Sequence, residues 1–365
     1  MKRIVDLSLA FVIAGLFVAS VACAQMADIK VGKGDLKIGA ILQAGLDYSL
    51  ADDTTATGAQ NVNGQFTLNR ARFLFWGTIV PDKVKYFVQT ETRNGVGALD
   101  YKMTFVDYIP QTEITVGRFL PSFTYYMPRH TGKLDMINYP LFLIASKTPE
   151  GVKGNFWDYA MWRQTGVQIT TKVENFADWA FTGGLFNGPA DNIADNNDAK
   201  DVLLRADFMP KTDFGKIVIG GHAWLGNLLL ADDEDCAYNR FGFFGVLMHE
   251  KATVVAELVM GSDEEAHFDA AKNEWTDRSS MGFYGHAEYK VNPEIGILGR
   301  FDFFDQNTDV DDNAWTWITF GVNYYIESYN AMMYLNFIHK EEQNDWGAKE
   351  SLDNDVIQLQ FQVSP

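Results

Sequence analysis

Two arginines, Arg70 and Arg72, stand in the run FTLNRARFLFWGTIV (66–80) among Phe66, Leu68, Phe73 and Phe75. On an extended chain, residues i and i+2 point to the same side. The pair therefore either neutralises a neighbouring carboxylate, such as Glu91 or Asp100, or contributes to a basic wall. Covalent chemistry has no comparable signal. The six histidines (His130, His222, His249, His267, His286 and His339) are dispersed without zinc-type spacing. Neither a GxSxG elbow nor a phosphate-cradling glycine loop occurs. His286, close to Glu288, reads as half of an inward pair rather than as a general base. What the residues offer is electrostatics, and its use depends on the elements that hold them.

Those elements alternate apolar and polar residues with period two, in segments of roughly 10–15 residues broken by turn residues. Sixteen such segments can be counted from DLKIGAILQAGLDYSL to NDVIQLQFQVS. The connections alternate too. PDK, PQ, ENFAD, PKTDF, EK, NPE and SY are short, whereas all their counterparts but NGVGA are long. Long strands with tight turns at one end and long loops at the other predict a transmembrane antiparallel β-barrel. Closure pairs every backbone polar group, as lipid requires. Uncharged sets such as Ile217, Ile219, Ala223, Leu225 and Phe241, Phe243, Leu247 would face lipid. Trp76, Trp157, Trp162, Trp179, Trp224, Trp315 and Tyr329, at segment ends, read as interfacial girdles. A soluble β-sandwich would not need such long strands or such strict loop alternation.

Residues 1–24 have a basic start at Lys2 and Arg3, the apolar core LSLAFVIAGLFVASV and a small-residue end at Ala24. This is read as a secretory signal peptide, leaving 25–365 as one barrel domain. A lipid-attached Cys23 is the alternative, but Ser20 stands where a leucine is expected. Beyond the leader the only cysteine is Cys236, so no disulfide can form within one mature chain. The formal charge of −18 becomes −19 when Lys2, Arg3 and Asp6 leave with the leader. So acidic a chain is a poor partner for nucleic acid.

The stretch FTLNRARFLFWGTIVPDKVKYFVQTE (66–91) resembles the second strand, turn and third strand of the outer-membrane porin family that includes the phosphate-selective porins. ITVGRFLPSFTYY (114–126) resembles that family's fifth strand leading into its large third loop. The resemblance implies a sixteen-stranded barrel in the outer membrane of a Gram-negative bacterium. It also implies a homotrimer embedded in outer-membrane lipid, with the third loop folded inward to narrow the pore. The chain departs from the phosphate-selective pattern in its acidity and in ending FQVSP rather than on an aromatic residue.

Phase counting within each strand places the barrel's inward charges, which in a barrel of this size face water. The cations expected at the pore lining or its constriction are Arg70, Arg72, Lys85, Arg93, Lys102, Arg205 and Arg300. Arg118 shares phase with Ile114 and Val116, so it needs a bulge at Gly117 or a place at the strand end. Phe66 and Leu68 share the arginines' phase and so lie inside the mouth or beyond an irregularity near Asn69. The insert 120–162 adds Arg129, Lys133, Lys147 and Lys153, a net basic loop in an acidic protein. The remaining long loops carry acids, among them Asp198, Asp263, Glu264, Asp309 and Asp311. They form a solvated outer face without a spaced calcium-loop pattern.

The expectation is a passive channel for small hydrophilic solutes or ions, anion-preferring at a basic constriction, with no cofactor, metal or catalytic residue. A structural sheath around an electron-transfer partner would need a wide lumen without an inward loop. A barrel-embedded hydrolase would need a serine, a histidine and a polar orienter converging on the exterior.

Overall fold

The computed structural model describes residues 25–50, 64–93, 95–145, 162–174, 177–188, 197–229, 235–269, 272–342 and 354–365. Among the described residues seventeen strands are present: β1 (Gln25–Val31), β2 (Gly34–Ser49), β3 (Gly64–Val80), β4 (Val84–Glu91), β5 (Gly97–Val106), β6 (Thr112–Phe119), β7 (Gln164–Glu174), β8 (Ala177–Phe186) and β9 (Asp201–Pro210) form the first part. They are followed by β10 (Lys216–Leu229), β11 (Asp235–Met248), β12 (Ala252–Asp269), β13 (Glu274–Lys290), β14 (Ile295–Asp305), β15 (Ala314–Glu327), β16 (Ala331–Glu342) and β17 (Val356–Val363). Each strand from β2 onward pairs antiparallel with the next, and β17 pairs back on β2, from Val356 opposite Ser49 to Val363 opposite Leu42. The sixteen counted strands are thus β2–β17, closed into a barrel.

The additional strand, β1, pairs with β2 from Ile29 opposite Leu36 to Val31 opposite Gly34, along the stretch of β2 that β17 leaves uncovered. Several expected loops are partly strand. β12 and β13 run on as a tall hairpin, so Asp263 lies within a ladder and not on a solvated loop.

Period-two alternation sorts side chains as anticipated on β10, where Val218, Gly220, His222, Trp224, Gly226 and Leu228 are buried inward while Ile219 and Leu225 are exposed outward. Burying apolar faces in lipid while pairing every strand edge satisfies both the side chains and the backbone. On β3 the sorting is reset by one residue. Gln43 of β2 faces Arg70, but the next residue, Ala44, faces Leu68, so Asn69 is a β-bulge. Asn69 Nδ2 donates inward to Gln360 Oε1 (2.7 Å), and Arg70 also points inward. Phe66, 81% exposed, and Leu68 are thereby thrown onto the outer face. The irregularity anticipated near Asn69 is what separates them from the arginines.

Residues 120–145 of the long insert turn into the barrel. They carry one 3-10 turn (Thr131–Lys133) and one helical turn (Leu141–Ile144). Phe123, Tyr126, Met127, Leu141 and Phe142 pack against Trp224, Phe244, Tyr284 and Phe304 of the barrel wall in one hydrophobic cluster. The ring of Phe123 meets Trp224 edge-on at 5.9 Å, and Phe142 lies 5.9 Å from Tyr284. Gly282 is required there, because a Cβ would come within 2.6 Å of Phe142. The expectation that inward residues all line water therefore fails on β10–β14. A loop bringing its own aromatics converts that half of the lumen into a packed core.

The aromatic girdle also needs correction. Trp224 is fully buried on the lumen side, Trp162 packs edge-on against Tyr139 at 5.4 Å, and the Tyr329 hydroxyl bonds Asp135. Trp76 shares the inward phase of Arg72. Trp179 keeps its girdle reading, stacked on outward-facing Phe181, while Trp157 lies outside the described residues.

Candidate pore constriction

The loop crosses the lumen by holding opposite walls with polar bonds. Near its start, Arg205 Nη1 donates to the Ser122 and Thr124 carbonyls (3.3 and 2.7 Å), while the Tyr125 N–H donates to Glu257 Oε1 (2.8 Å). At its tip, Gln43 Nε2 donates to Thr131 O (3.3 Å) and Gln362 Nε2 to Gly132 O (3.0 Å). On the way back, Asn323 Nδ2 donates to Asp135 O (2.8 Å) and Arg300 to the carbonyls of Asn138 and Tyr139 (2.9 and 3.1 Å). Arg205 and Arg300 also hold Asp207 (2.8 Å) and Asp302 (2.6 Å). These two arginines point inward as phase counting required, but they are committed to anchoring the loop. Asp263, between Arg240 and Arg278 (2.5 Å each), forms a comparable buried cluster in the wall.

The opposite wall, β2–β6, stays open. Arg70 donates to Gln43 Oε1 (2.5 Å), its guanidinium carbon 5.8 Å from the Tyr139 ring centre. Arg72 pairs with Glu91 (3.0 Å) and donates to Thr131 Oγ1 (3.1 Å) at the loop tip. Close by, Arg163 pairs with Asp100 (3.0 Å). Gln89, with its amide nitrogen turned to Asp100 Oδ2 (2.8 Å), accepts from Arg72 (3.2 Å) and links the two ion pairs. Arg163 was not among the sequence candidates. It precedes the regular part of β7, where alternation gives no direction.

Lys102 lies over the rings of Phe87 and Phe119 (5.6 and 5.7 Å), and Lys85 approaches Glu113 at 3.5 Å. Arg93 is exposed and donates to Asn69 O (2.9 Å), outside this group. From the loop, Arg129 sits 5.3 Å from both the Tyr125 and Tyr126 ring centres and bonds Lys133 O (3.0 Å) and Asp135 (3.5 Å). Burial alone would lower its pKa, but Asp135 and the tyrosines outweigh that and hold it raised. Lys133 donates to Asn330 Oδ1 (2.9 Å).

Of the two alternatives for Arg118, the place at the strand end holds, one residue before β6 ends at Phe119, and the bulge at Gly117 does not. Gly117 does take a left-handed φ of 124°, yet pairing runs through it without a shift, leaving Arg118 opposite Tyr101 and buried. Lys147 and Lys153 lie outside the described residues. His286 and Glu288 do not pair with each other. His286 lies 3.8 Å from Asp135, and Glu288 accepts from Tyr325 (2.5 Å).

Between loop and open wall lies a cavity of about 470 Å³. Its charged lining is Lys37, Lys85, Lys102, Arg129 and Arg163 against Asp35, Asp100 and Glu113, five cations to three carboxylates. His130 adds no charge near neutrality: burial, with Lys133 and Arg72 close by, pulls its pKa down to about 4.

The closed sixteen-stranded barrel, with residues 120–145 inside it, has counterparts among known structures. It aligns with an anion-selective porin from Comamonas acidovorans at TM-score 0.62 and 11% identity, covering 90% of this chain and 98% of that one. The fold is that of a porin barrel. The outer membrane channel DcaP of Acinetobacter baumannii aligns equally well, at TM-score 0.62 and 11% identity, covering 92% of this chain and 98% of that chain. OmpT of Vibrio cholerae aligns at TM-score 0.58 and 12% identity, covering 92% and 99%. In sequence, residues 224–364 of the porin barrel match the family described as phosphate-selective porin O and P. The resemblance carried by residues 66–91 and 114–126 thus has a counterpart in the C-terminal strands. Among curated proteins compared by sequence, none matches.

Proposed function

We propose that this porin barrel is a passive outer-membrane channel for small hydrophilic solutes and that its narrow region favours anions. One observation carries the anion preference: the cavity left between the inward loop and the β2–β6 wall has five cations to three carboxylates. In a confined, partly desolvated passage, local charge of this kind outweighs the protein's overall acidity, which acts over a Debye length of ~8 Å at the mouths. The likeness to a porin titled anion-selective agrees with this reading.

The channel works by width and field, with no covalent step and no cofactor. Its surroundings are outer-membrane lipid, and a homotrimer is part of the proposal, one V. cholerae OmpT neighbour being titled a trimer form. A sheath for another protein is disfavoured, because residues 120–145 occupy the lumen such a partner would need.

Reconstitution in planar bilayers under a KCl gradient tests the reading. Channels whose reversal potential favours chloride are expected, with a shift towards potassium in Lys37→Met/Lys102→Met, which removes two of the five cavity cations. Cation preference in the unmodified protein would overturn the anion assignment, and absence of channels would overturn the porin function.

A further inference from the structure

The open wall carries more than charge. Lys37, Trp76, Phe87 and Lys102 are consecutive register partners across β2, β3, β4 and β5, and all four line the cavity. They form one rung: two half-buried aromatic side chains flanked by an ammonium at each end. Strands lie ~4.8 Å apart, so the two lysine backbones are separated by about 14 Å. Next to Lys102 the rung continues with Gly117, which leaves the cavity side of β6 without a side chain at that level.

The charges on this rung are not neutralised by carboxylates, the Lys102 ammonium resting over the rings of Phe87 and Phe119. Lys37 and Lys102 have no carboxylate within ion-pair distance among the described residues, whereas Arg163 is held by Asp100 and Arg129 by Asp135. A compact inorganic oxyanion is best held by several donors converging on one point. Here the uncommitted cations are set apart, with aromatic surface between them. That arrangement suits an anion whose charge is at one end and whose body is flat and apolar.

We propose that the cavity beneath the inward loop is a binding site for organic anions with an aromatic body. The carboxylate lies at Lys102 and the ring against Trp76 and Phe87. Ring–ring contact and desolvation distinguish such a solute from acetate or phosphate of equal or greater charge. The inference rests on the reading of this cavity as a solute passage with a positive lining.

Benzoate, acetate and inorganic phosphate serve as probes on the full-length refolded protein, by titration calorimetry and by block of the KCl current in bilayers. Benzoate is expected to bind about tenfold tighter than acetate. Trp76→Leu and Phe87→Leu should each erase that preference. Lys102→Met should weaken benzoate and acetate together. Heat-modifiable mobility on gels verifies that each variant is folded, and the two leucine variants test the rung separately. Equal affinity for benzoate and acetate, tighter binding of phosphate, or an unchanged preference in both leucine variants would overturn the proposal. Benzoate binding without conductance would keep the site and remove the channel reading. Chloride-selective conductance without benzoate preference would do the reverse.

Discussion

Gln43 of β2 and Gln362 of β17 join across the seam that closes the barrel, Gln43 Nε2 donating to Gln362 Oε1 at 2.6 Å. Each also holds a carbonyl of the loop tip, so barrel closure and loop position share the same two side chains. The fit is close: a Cβ on Gly132 would collide with Ser364. Gln362→Leu leaves the Gly132 and Tyr329 carbonyls without their donor, a loss of about 1–3 kcal/mol for a buried group. A lower temperature for the heat-induced mobility shift and larger current fluctuations are expected. An unchanged shift temperature would show that closure does not depend on the loop tip.

Arg72 and Arg300 face the same lumen but should behave differently. Arg300→Ala removes three bonds that fix Asn138, Tyr139 and Asp302. Leaving Asp302 buried without its partner costs about 3–5 kcal/mol. Its expected signature is noisier current and lower stability. Arg72→Ala removes a single bond to the loop tip, that to Thr131 Oγ1, and should instead act chiefly by shifting the reversal potential towards cations, with a smaller rise in noise than Arg300→Ala. Identical phenotypes in bilayer recordings would refute this division between anchoring and pore charge.

Phe142 is buried against Tyr284 in a space that Gly282 keeps open. Phe142→Ala removes an aromatic side chain from a packed core and should cost about 3–5 kcal/mol. Denaturant unfolding followed by tryptophan fluorescence measures it. A cost below about 1 kcal/mol would mean that the loop is not packed as described.

His130 sets a pH dependence with a definite sign. Its Nδ1 accepts from the Gly132 N–H (3.3 Å), a role only the neutral ring can fill. Burial, Lys133 and Arg72 lower its pKa from 6.5 to about 4. Between these values the unfolded chain binds more protons than the folded one, so stability falls as pH drops from about 6.5 to about 4. The effect is absent above that window and complete below it. His130→Gln should flatten this part of the stability–pH profile; a profile unchanged by the substitution would exclude His130 as its origin.

How far the sequence spoke depended on alternation. Within β2–β5, counting by two gave the inward phase of Arg70, Arg72, Lys85 and Lys102, and the misfit of Phe66 and Leu68 pointed at Asn69. The same counting had the means to turn Trp76 and Trp224 inward, since each alternates with outward-facing neighbours; their place near segment ends hid this. β1 carries the same signal, since Ala27, Ile29 and Val31 alternate with Asp28 and Lys30 ahead of the Gly32–Lys33 turn, but it is too short to stand out beside the sixteen longer segments. Arg163 and the carbonyl partners of Arg205 and Arg300 had no such signal, because period two says nothing about where an irregular loop returns.

The extra residue at Asn69 also makes β3 two separately editable surfaces. Upstream of it, even-numbered positions meet the bilayer; from Arg70 onward, even-numbered positions meet the lumen. A one-residue deletion there would exchange the two sides for half the strand, carrying Phe66 and Leu68 into water. Parity along this strand is therefore a local property, and a substitution scan that ignores the break would assign the outer half of β3 to the wrong solvent.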